Sequence, residues 1–227
     1  MADSRRRMFG VPPGGMLYIG PEGSSASLSL WIYWLQIANR SADAAQQTHP
    51  SDAMIDALSA RLVGHERELP DEPNRGRNDE VLNSMVAISA SAHCLDGFYG
   101  AVVEQIKPPR SDAKRSRQIL ETLKRGFSIG VFAQAWQVEL DWLFGIRDDI
   151  VHHGERLRPA VVSRTTAETV VFAGPEAYNL SALSARRSAD LAMAVVSECI
   201  VRPKAMLEGW AERSRELMTK LVDKPPE

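Results

Sequence analysis

The chain lacks several features that define common protein classes. Among its 227 residues only two are cysteines, Cys94 and Cys199, and both fall inside apolar helical patterns. A free thiol in such a pattern packs as a small hydrophobic side chain, so we expect no disulfide framework and a reducing compartment. No uninterrupted apolar run approaches the roughly 18 residues that a membrane-spanning helix needs. These absences predict a cytoplasmic protein that has no membrane partner.

An excess of one charge is also lacking, since the formal net charge is −2. This balance argues against a surface that attracts nucleic acid or anionic lipid over its whole area, although it allows a local basic groove. The sequence contains no glycine-rich phosphate loop, nucleophile elbow, zinc-protease motif or paired-cysteine zinc motif. The prolines and glycines at positions 12–15 interrupt the only candidate signal-peptide core. We therefore expect no cofactor.

Apolar side chains recur at three- and four-residue steps through most of the chain, which predicts an all-α protein. The clearest stripe covers residues 82–106 and contains Gly97. A glycine inside a helix costs about 1 kcal/mol relative to alanine, so we expect another helix to approach closely there. After the arginine- and histidine-rich stretch the period changes, and two β-branched runs around a polar turn predict a hairpin over residues 160–173. The predicted fold is a multi-helix bundle with a small β-hairpin insertion.

The predicted domain organisation is simple. Residues 1–25 are rich in glycine, proline and serine and are expected to be flexible, and residues 26–224 form a single helical domain. Within that domain, residues 64–79 contain two prolines, two glycines and many charges, so they are expected to form an exposed loop. His93 is the one histidine in its helical pattern, and we interpret it as a core or boundary residue.

The stretch "IRDDIVHHGERLRP", residues 146–159, places one arginine, two aspartates and two histidines at the end of an apolar helix. Histidine moves protons near neutral pH, and arginine carries a permanent charge whose shape suits phosphate oxygens. Together they suit metal-independent cleavage of a phosphodiester. On a regular helix, however, His152 lies about 140° around the axis from Arg147. The two side chains cannot meet squarely on such a helix. The long Arg147 side chain could still share a groove with His152, particularly if the last turn unwinds at Gly154, and a partner chain could also complete the site.

The segment "RDDIVH", residues 147–152, resembles the arginine, polar residue, three residues, histidine motif of the HEPN superfamily (higher eukaryotes and prokaryotes nucleotide-binding). The resemblance implies an α-helical, homodimeric protein in which two motifs face each other. It also implies a metal-independent ribonuclease of a bacterial toxin–antitoxin or anti-phage system, with an antitoxin or defence protein as partner. Arg147 would bind phosphate, His152 would act as acid and base, and Asp148 would orient one of them.

Two further arginines, Arg156 and Arg158, follow the motif and are placed to hold an RNA backbone if the motif is catalytic. A second basic segment, residues 110–125, could form a cationic stripe or an ordinary solvated helix face. The members of this stripe are Lys114, Arg115, Arg117, Lys124 and Arg125.

Other interpretations of the motif remain open. Arg147 could simply form an ion pair with a neighbouring aspartate, and His152 and His153 could complement the negative end of the helix dipole. The chain would then be a non-catalytic helical interaction protein. A metal site is a weaker interpretation, because no second cluster supplies the remaining ligands. Its candidate ligands are Asp148, Asp149, His152, His153 and Glu155.

Overall fold

The structure is a computed structural model, and it describes residues 16–18, 25–27, 30–49, 71–109, 111–152, 161–162, 169–173 and 176–222. Helices dominate this part of the chain, so the all-α class predicted from the sequence is confirmed. The α-helices are α1 Leu30–Thr48, α2 Asp71–Ile106, α3 Arg115–Gly126, α4 Ala133–His152, α5 Ala182–Val201 and α6 Glu208–Val222. Short 3₁₀ turns, Gly130–Phe132 and Ala205–Leu207, precede α4 and α6.

Five short strands accompany the helices. Antiparallel pairing joins β1, Met16–Tyr18, to β2, Ser25–Ser27, and a separate antiparallel group has the order β3, β4, β5. Its members are β3 Val161–Val162, β4 Thr169–Ala173 and β5 Glu176–Asn179. The hairpin predicted over residues 160–173 is not supported. Only two residue pairs join β3 to β4, whereas four join β4 to β5, a strand that the apolar pattern did not indicate.

Helices α1, α2 and α5 form the centre of the bundle. Where they approach one another most closely, they meet through a seam of buried alanines whose small side chains allow close packing. The seam consists of Ala38, Ala42, Ala45, Ala87, Ala90, Ala182, Ala185 and Ala189. Next to it, the Trp31 ring meets the Phe98 ring edge-on at 5.3 Å between centroids, in a larger apolar cluster that also receives α3 and α4.

Helices α3 and α4 lie antiparallel and pack against α2. The Ser116 hydroxyl donates a 2.5 Å hydrogen bond to the Asp141 carboxylate, which fixes the start of α3 against the middle of α4. At the other end of the pair, the Ser128 amide donates to the carbonyl of Arg202, and the Lys204 amide donates to the carbonyl of Gly126. These bonds connect the α3–α4 turn to the segment between α5 and α6. Because α4 is longer than α3, its C-terminal half extends beyond its partner.

Two expectations from the sequence have clear outcomes. The close approach expected at Gly97 is confirmed, because a Cβ built there would lie 3.3 Å from Cβ of Trp31 on α1. The loop expected over residues 64–79 is too long, since α2 already begins at Asp71. Pro73 falls in the first turn of α2, where a missing amide hydrogen breaks no intrahelical bond, so the proline does not prevent the helix.

The apolar character of α2 was underestimated from the sequence. Its segment Asp79–Ile106 is long and apolar enough to cross a membrane by length and composition, although it contains no uninterrupted apolar run of that length. Core helices of globular proteins meet the same criterion, and half of the most apolar window is buried inside the fold. Cys94 on α2 and Cys199 on α5 are both buried free thiols, as expected.

Candidate functional site

The site is built on the C-terminal half of α4. Leu143 and Ile146 are buried in the core and fix which face of the helix points inward. Arg147 follows directly and borders that face, with 22% of its side chain exposed. Its Nη1 atom donates a 2.7 Å hydrogen bond to Oδ1 of Asp148, whose side chain is 57% exposed. Nε of Arg147 is buried and has no hydrogen-bond partner among the residues that the structure describes.

Arg147 and His152 both belong to helix α4. Helix α4 extends as far as His152, so the two positions keep the separation of a regular helix, about 140° around and about 7.5 Å along the axis. The unwinding considered near Gly154 falls within residues 153–160, outside the described residues. Four sequence candidates also lie there: His153, Glu155, Arg156 and Arg158.

A different histidine lies within the electrostatic reach of Arg147. The pKa of His93 on α2 is lowered, first by partial burial and then by the positive charge of Arg147, while Asp96 acts in the opposite direction. The imidazole also packs on the indole ring of Trp34 from α1, with centroids 5.0 Å apart. The interpretation of His93 as a boundary residue agrees with its partial burial, but its proximity to Arg147 was missed. The two residues are 54 positions apart, and no local pattern in the sequence links them.

The basic side chains of the predicted cationic stripe, residues 110–125, lie in three different environments. Arg115 is held by Asp96, with 2.5 Å between Nε and Oδ1, and its guanidinium lies 4.2 Å from the centroid of the Tyr99 ring. Arg125 lines a separate depression on the far side of α3. The remaining cations face a groove between α3 and α4, described next.

The α3–α4 groove has a volume of about 730 Å³. Three basic residues of α3 and its N-terminal flank line it together with two glutamines of α4, and two acidic residues reduce its net charge. Lys124 pairs with Glu121 at 3.0 Å, whereas Lys114 and Arg117 have no ion-pair partner within the described part of the chain. The polar lining residues are Lys114, Arg117, Glu121, Lys124, Gln134, Gln137 and Asp141.

The face of α4 that lines the groove continues along the helix to the motif. Its α4 residues include Gln134, Val138 and Asp141, which share one face of the helix because they recur at four- and three-residue steps. The same steps continue to Gly145, Asp148 and His152. A ligand that follows this face from the α3–α4 groove therefore reaches the motif at the end of α4.

A second polar cluster connects α1, α2 and α5. Glu80 of α2 is completely buried, and its Oε1 atom accepts 2.8 Å hydrogen bonds from the His49 ring and from the backbone amide of Ala182. Ala182 is the first residue of α5, so the carboxyl group caps that helix from outside. Ser181 adds a conventional cap by accepting from the Ser184 amide at 3.3 Å. Sequence reasoning missed Glu80, which directly follows the stretch interpreted as a loop.

The metal interpretation receives no geometric support. Within the described residues, no group of three or more histidine, cysteine, aspartate or glutamate side chains is placed to hold an ion. Asp148 is engaged by Arg147, and two of the other candidate ligands, His153 and Glu155, lie outside the described ranges. No metal chemistry is therefore assigned to Asp148 or to its neighbour Asp149.

The chain matches no protein-family model, no curated protein and no solved structure. The resemblance to the HEPN superfamily therefore depends on the motif residues and on the surrounding helical fold alone.

Proposed function

We propose that the chain is a HEPN-like, RNA-binding protein that cleaves RNA without a metal ion, acting as a cytoplasmic homodimer in a toxin–antitoxin or anti-phage system. One observation carries the proposal. Arg147 is half-buried at the end of an apolar helix, yet its Nε hydrogen lacks a partner among the described residues. An unpaired buried donor is costly, and a phosphate oxygen is a strong acceptor for a guanidinium. The β-hairpin at 160–173 is kept as part of this proposed fold.

The chemistry assigned to the motif follows from its side chains. The Arg147 guanidinium neutralises charge that develops on the phosphorus-bound oxygens, and His152 transfers protons at the reacting oxygens. Asp148 holds Arg147 in place before the substrate binds, through the 2.7 Å bond. The helical separation of Arg147 and His152 within one chain means that the complete site needs residues from a second copy.

Exposed apolar side chains on α1 and α2 supply a surface for that second copy. Leu82 and Val86 share a face of α2 with His93, and Trp34 and Ile37 share a face of α1. Because Trp34 contacts His93, the two faces adjoin, and we call them the α1–α2 patch. A contiguous apolar patch on a soluble protein is typical of an interface. Self-association through this patch would place the Arg147 region of each subunit at the edge of the contact.

The α3–α4 groove supplies a path for the RNA backbone. Lys114 and Arg117 are exposed and, in the described part of the chain, unpaired, so their charge is available to phosphates. Arg156 and Arg158 would extend the path beyond the motif. Contacts of this kind position RNA without reading its bases, so the proposal includes no sequence preference.

The experiment that tests the proposal compares RNA cleavage by wild type, Arg147→Ala and His152→Ala in the presence of EDTA. We expect wild type to cleave and each variant to lose at least about a hundredfold in rate, the usual effect of removing a proton-transfer or charge-stabilising group. Arg213→Ala serves as a matched control, because Arg213 is an exposed arginine on α6, remote from the motif in sequence. Cleavage by His152→Ala at the wild-type rate would exclude the assigned role.

Mixing the two inactive variants tests the composite site. A heterodimer of Arg147→Ala and His152→Ala subunits retains one Arg147 and one His152, so activity should exceed that of either variant alone. Light scattering should show a dimer for wild type and a monomer for Val86→Lys, which places a charge in the α1–α2 patch. A monomeric wild type would exclude the composite site.

A second candidate function is a non-catalytic helical interaction protein with the same fold. The observation in its favour is the Arg147–Asp148 ion pair, which satisfies part of the guanidinium without any substrate. This candidate predicts that Arg147→Ala lowers the melting temperature markedly while wild type never cleaves RNA. Light scattering and calorimetry of the same variants therefore distinguish the two candidates.

A further inference from the structure

Four polar side chains line the α3–α4 groove without a partner in the described part of the chain. Lys114 and Arg117 come from α3 and its N-terminal flank, and Gln134 and Gln137 come from α4. None of the four makes a side-chain hydrogen bond or an ion pair within the described residues. A cavity of about 730 Å³ that offers free cations on one wall and free amides on the other suits a ligand that carries both negative charge and hydroxyl groups.

We propose that the α3–α4 groove binds a short single-stranded segment of RNA, with its phosphates on Lys114 and Arg117 and its 2′-hydroxyls on Gln137 and Gln134. This inference rests on the proposed function, and it specifies the substrate as unpaired RNA that the protein distinguishes from DNA by its ribose. The recognition of RNA then belongs to the α3–α4 pair, whose lining residues are not part of the α1–α2 patch.

The positive charge of the groove is concentrated at the start of α3. No side chain caps the first amides of this helix, so the positive end of the helix dipole adds to the charges of Lys114 and Arg117. The two acidic lining residues are already engaged, because Asp141 accepts a side-chain hydrogen bond and Glu121 is paired with Lys124. The two free cations therefore remain for phosphate oxygens.

The glutamines lie on the opposite wall. Helices α3 and α4 are antiparallel, and the bond between Ser116 and Asp141 sets their register. In that register Gln137 lies opposite the middle of α3 and Gln134 lies opposite its C-terminal part. A primary amide both donates and accepts hydrogen bonds, and a 2′-hydroxyl does the same. Because DNA lacks this hydroxyl, the two amides give the groove a preference for RNA.

The dimensions of the groove admit one strand. Lys114 and Lys124 are ten positions apart, which is about 15 Å along a helix and leaves room for about four nucleotides. Packed helices lie about 8–10 Å apart, so the groove between them is too narrow for a duplex. Among the described residues that line the groove none is aromatic, so it holds backbone and ribose without stacking the bases.

The test measures binding separately from cleavage. Fluorescein-labelled decauridine and decadeoxyuridine report by anisotropy on binding to the full-length protein carrying His152→Ala, which the proposed function makes inactive in cleavage. Anisotropy is read by stopped flow, before any residual cleavage shortens the strand. Decauridine should bind about tenfold more tightly than decadeoxyuridine, the usual effect of two hydrogen bonds.

Two double variants assign the contacts. Lys114→Gln combined with Arg117→Gln should weaken the binding of both decamers about tenfold at low salt. It should also reduce the slope of log Kd against log salt by about 1.4, at about 0.7 for each phosphate contact. Gln134→Ala combined with Gln137→Ala should weaken decauridine binding about tenfold, to the affinity of decadeoxyuridine, and should leave decadeoxyuridine binding within about twofold.

Matched controls change residues of the same types outside the groove. Arg213→Gln replaces an exposed arginine on α6, and Gln105→Ala replaces an exposed glutamine on α2. Both should bind the two decamers within about twofold of the protein without them. Circular dichroism and light scattering confirm that each variant is folded and keeps its oligomeric state. A fluorescein-labelled decamer of glutamate tests whether the groove binds an acidic peptide instead.

Each outcome supports or overturns the inference. Equal affinity for the two nucleic acids, or unchanged binding by either double variant, overturns it, and the cleavage assay of the proposed function is unaffected. Decaglutamate that binds as tightly as decauridine, and that is weakened by the cation double variant, makes the groove a site for an acidic protein and also overturns it. A groove that prefers decauridine in a wild type that never cleaves RNA supports the inference and overturns the catalytic role of the motif.

Discussion

Removal of the buried Glu80 carboxyl group should destabilise the whole bundle, because it connects α1, α2 and the start of α5. Oε1 accepts two 2.8 Å hydrogen bonds, and Oε2 is buried without a partner among the described residues. Two hydrogen bonds at about 1–3 kcal/mol each are lost in Glu80→Ala, and loss of the unpaired Oε2 recovers about 1–3 kcal/mol. Taken at the middle of these ranges, the expected net loss in the free energy of unfolding is about 2 kcal/mol.

The assay is thermal unfolding followed by circular dichroism at neutral pH. For a chain of this size, about 2–4 °C of melting temperature corresponds to 1 kcal/mol, so Glu80→Ala should melt about 4–8 °C below wild type. Glu80→Gln keeps an acceptor oxygen for the Ala182 amide and should lose only about 1 kcal/mol. Glu104→Ala changes an exposed glutamate on the same helix and should remain within about 0.5 kcal/mol of wild type.

The order of these variants is the test. If Glu80→Ala and Glu104→Ala melt within about 2 °C of each other, the carboxyl group does not cap α5 in solution and the reasoning is wrong. If Glu80→Gln is as unstable as Glu80→Ala, the Oε1 hydrogen bonds are not the source of the stability.

Three further predictions concern packing, surface charge and pH. Gly97→Leu should lower the free energy of unfolding in urea by about 1–3 kcal/mol, because any Cβ there lies 3.3 Å from Cβ of Trp31 on the facing helix. An unchanged free energy of unfolding would show that the two helices separate readily. Arg187 donates two 2.8 Å bonds to Glu139 and lowers the pKa of that carboxyl group, but both side chains are substantially exposed, so a double-mutant cycle should give only about 0.5–1 kcal/mol at pH 7. That contribution should disappear as the pH falls through the lowered pKa, and a coupling that persists at pH 2 would contradict it. Because the pKa of His93 is lowered in the folded chain, the unfolded chain takes up this proton at a higher pH than the folded chain does. The free energy of unfolding should therefore decrease as the pH falls from about 6.5 towards about 5, and His93→Gln should reduce this slope.

Local sequence patterns were sufficient for most of the helical architecture. The three- and four-residue apolar steps located α1, α5 and the C-terminal part of α2 closely, and the burial of both cysteines followed from the same pattern. The helix contact at Gly97 could be predicted because a helical glycine needs a tertiary reason. The start of α2 was placed too late, because Pro73 and the charges around it look like a loop although a proline is tolerated in a first turn.

In the candidate site, too, sequence patterns predicted the local contacts but not the contacts between helices. The pairing of Arg147 with its neighbour Asp148 is local and was among the sequence interpretations. The contact of His93 with Trp34 and its proximity to Arg147 depend on the packing of three helices, so no spacing along the chain reveals them. The Glu80 cap of α5 spans 102 positions and was invisible for the same reason.

The sequence by itself determined where the helices form, which faces they bury and which residues form the motif on α4, because helical periodicity and side-chain chemistry are local properties. Only the tertiary structure decided which groups from different helices are neighbours, since α1, α2 and α5 pack through an alanine seam whose register is set by the whole core. That register, rather than any motif, brings the indole of Trp34 into contact with the imidazole of His93.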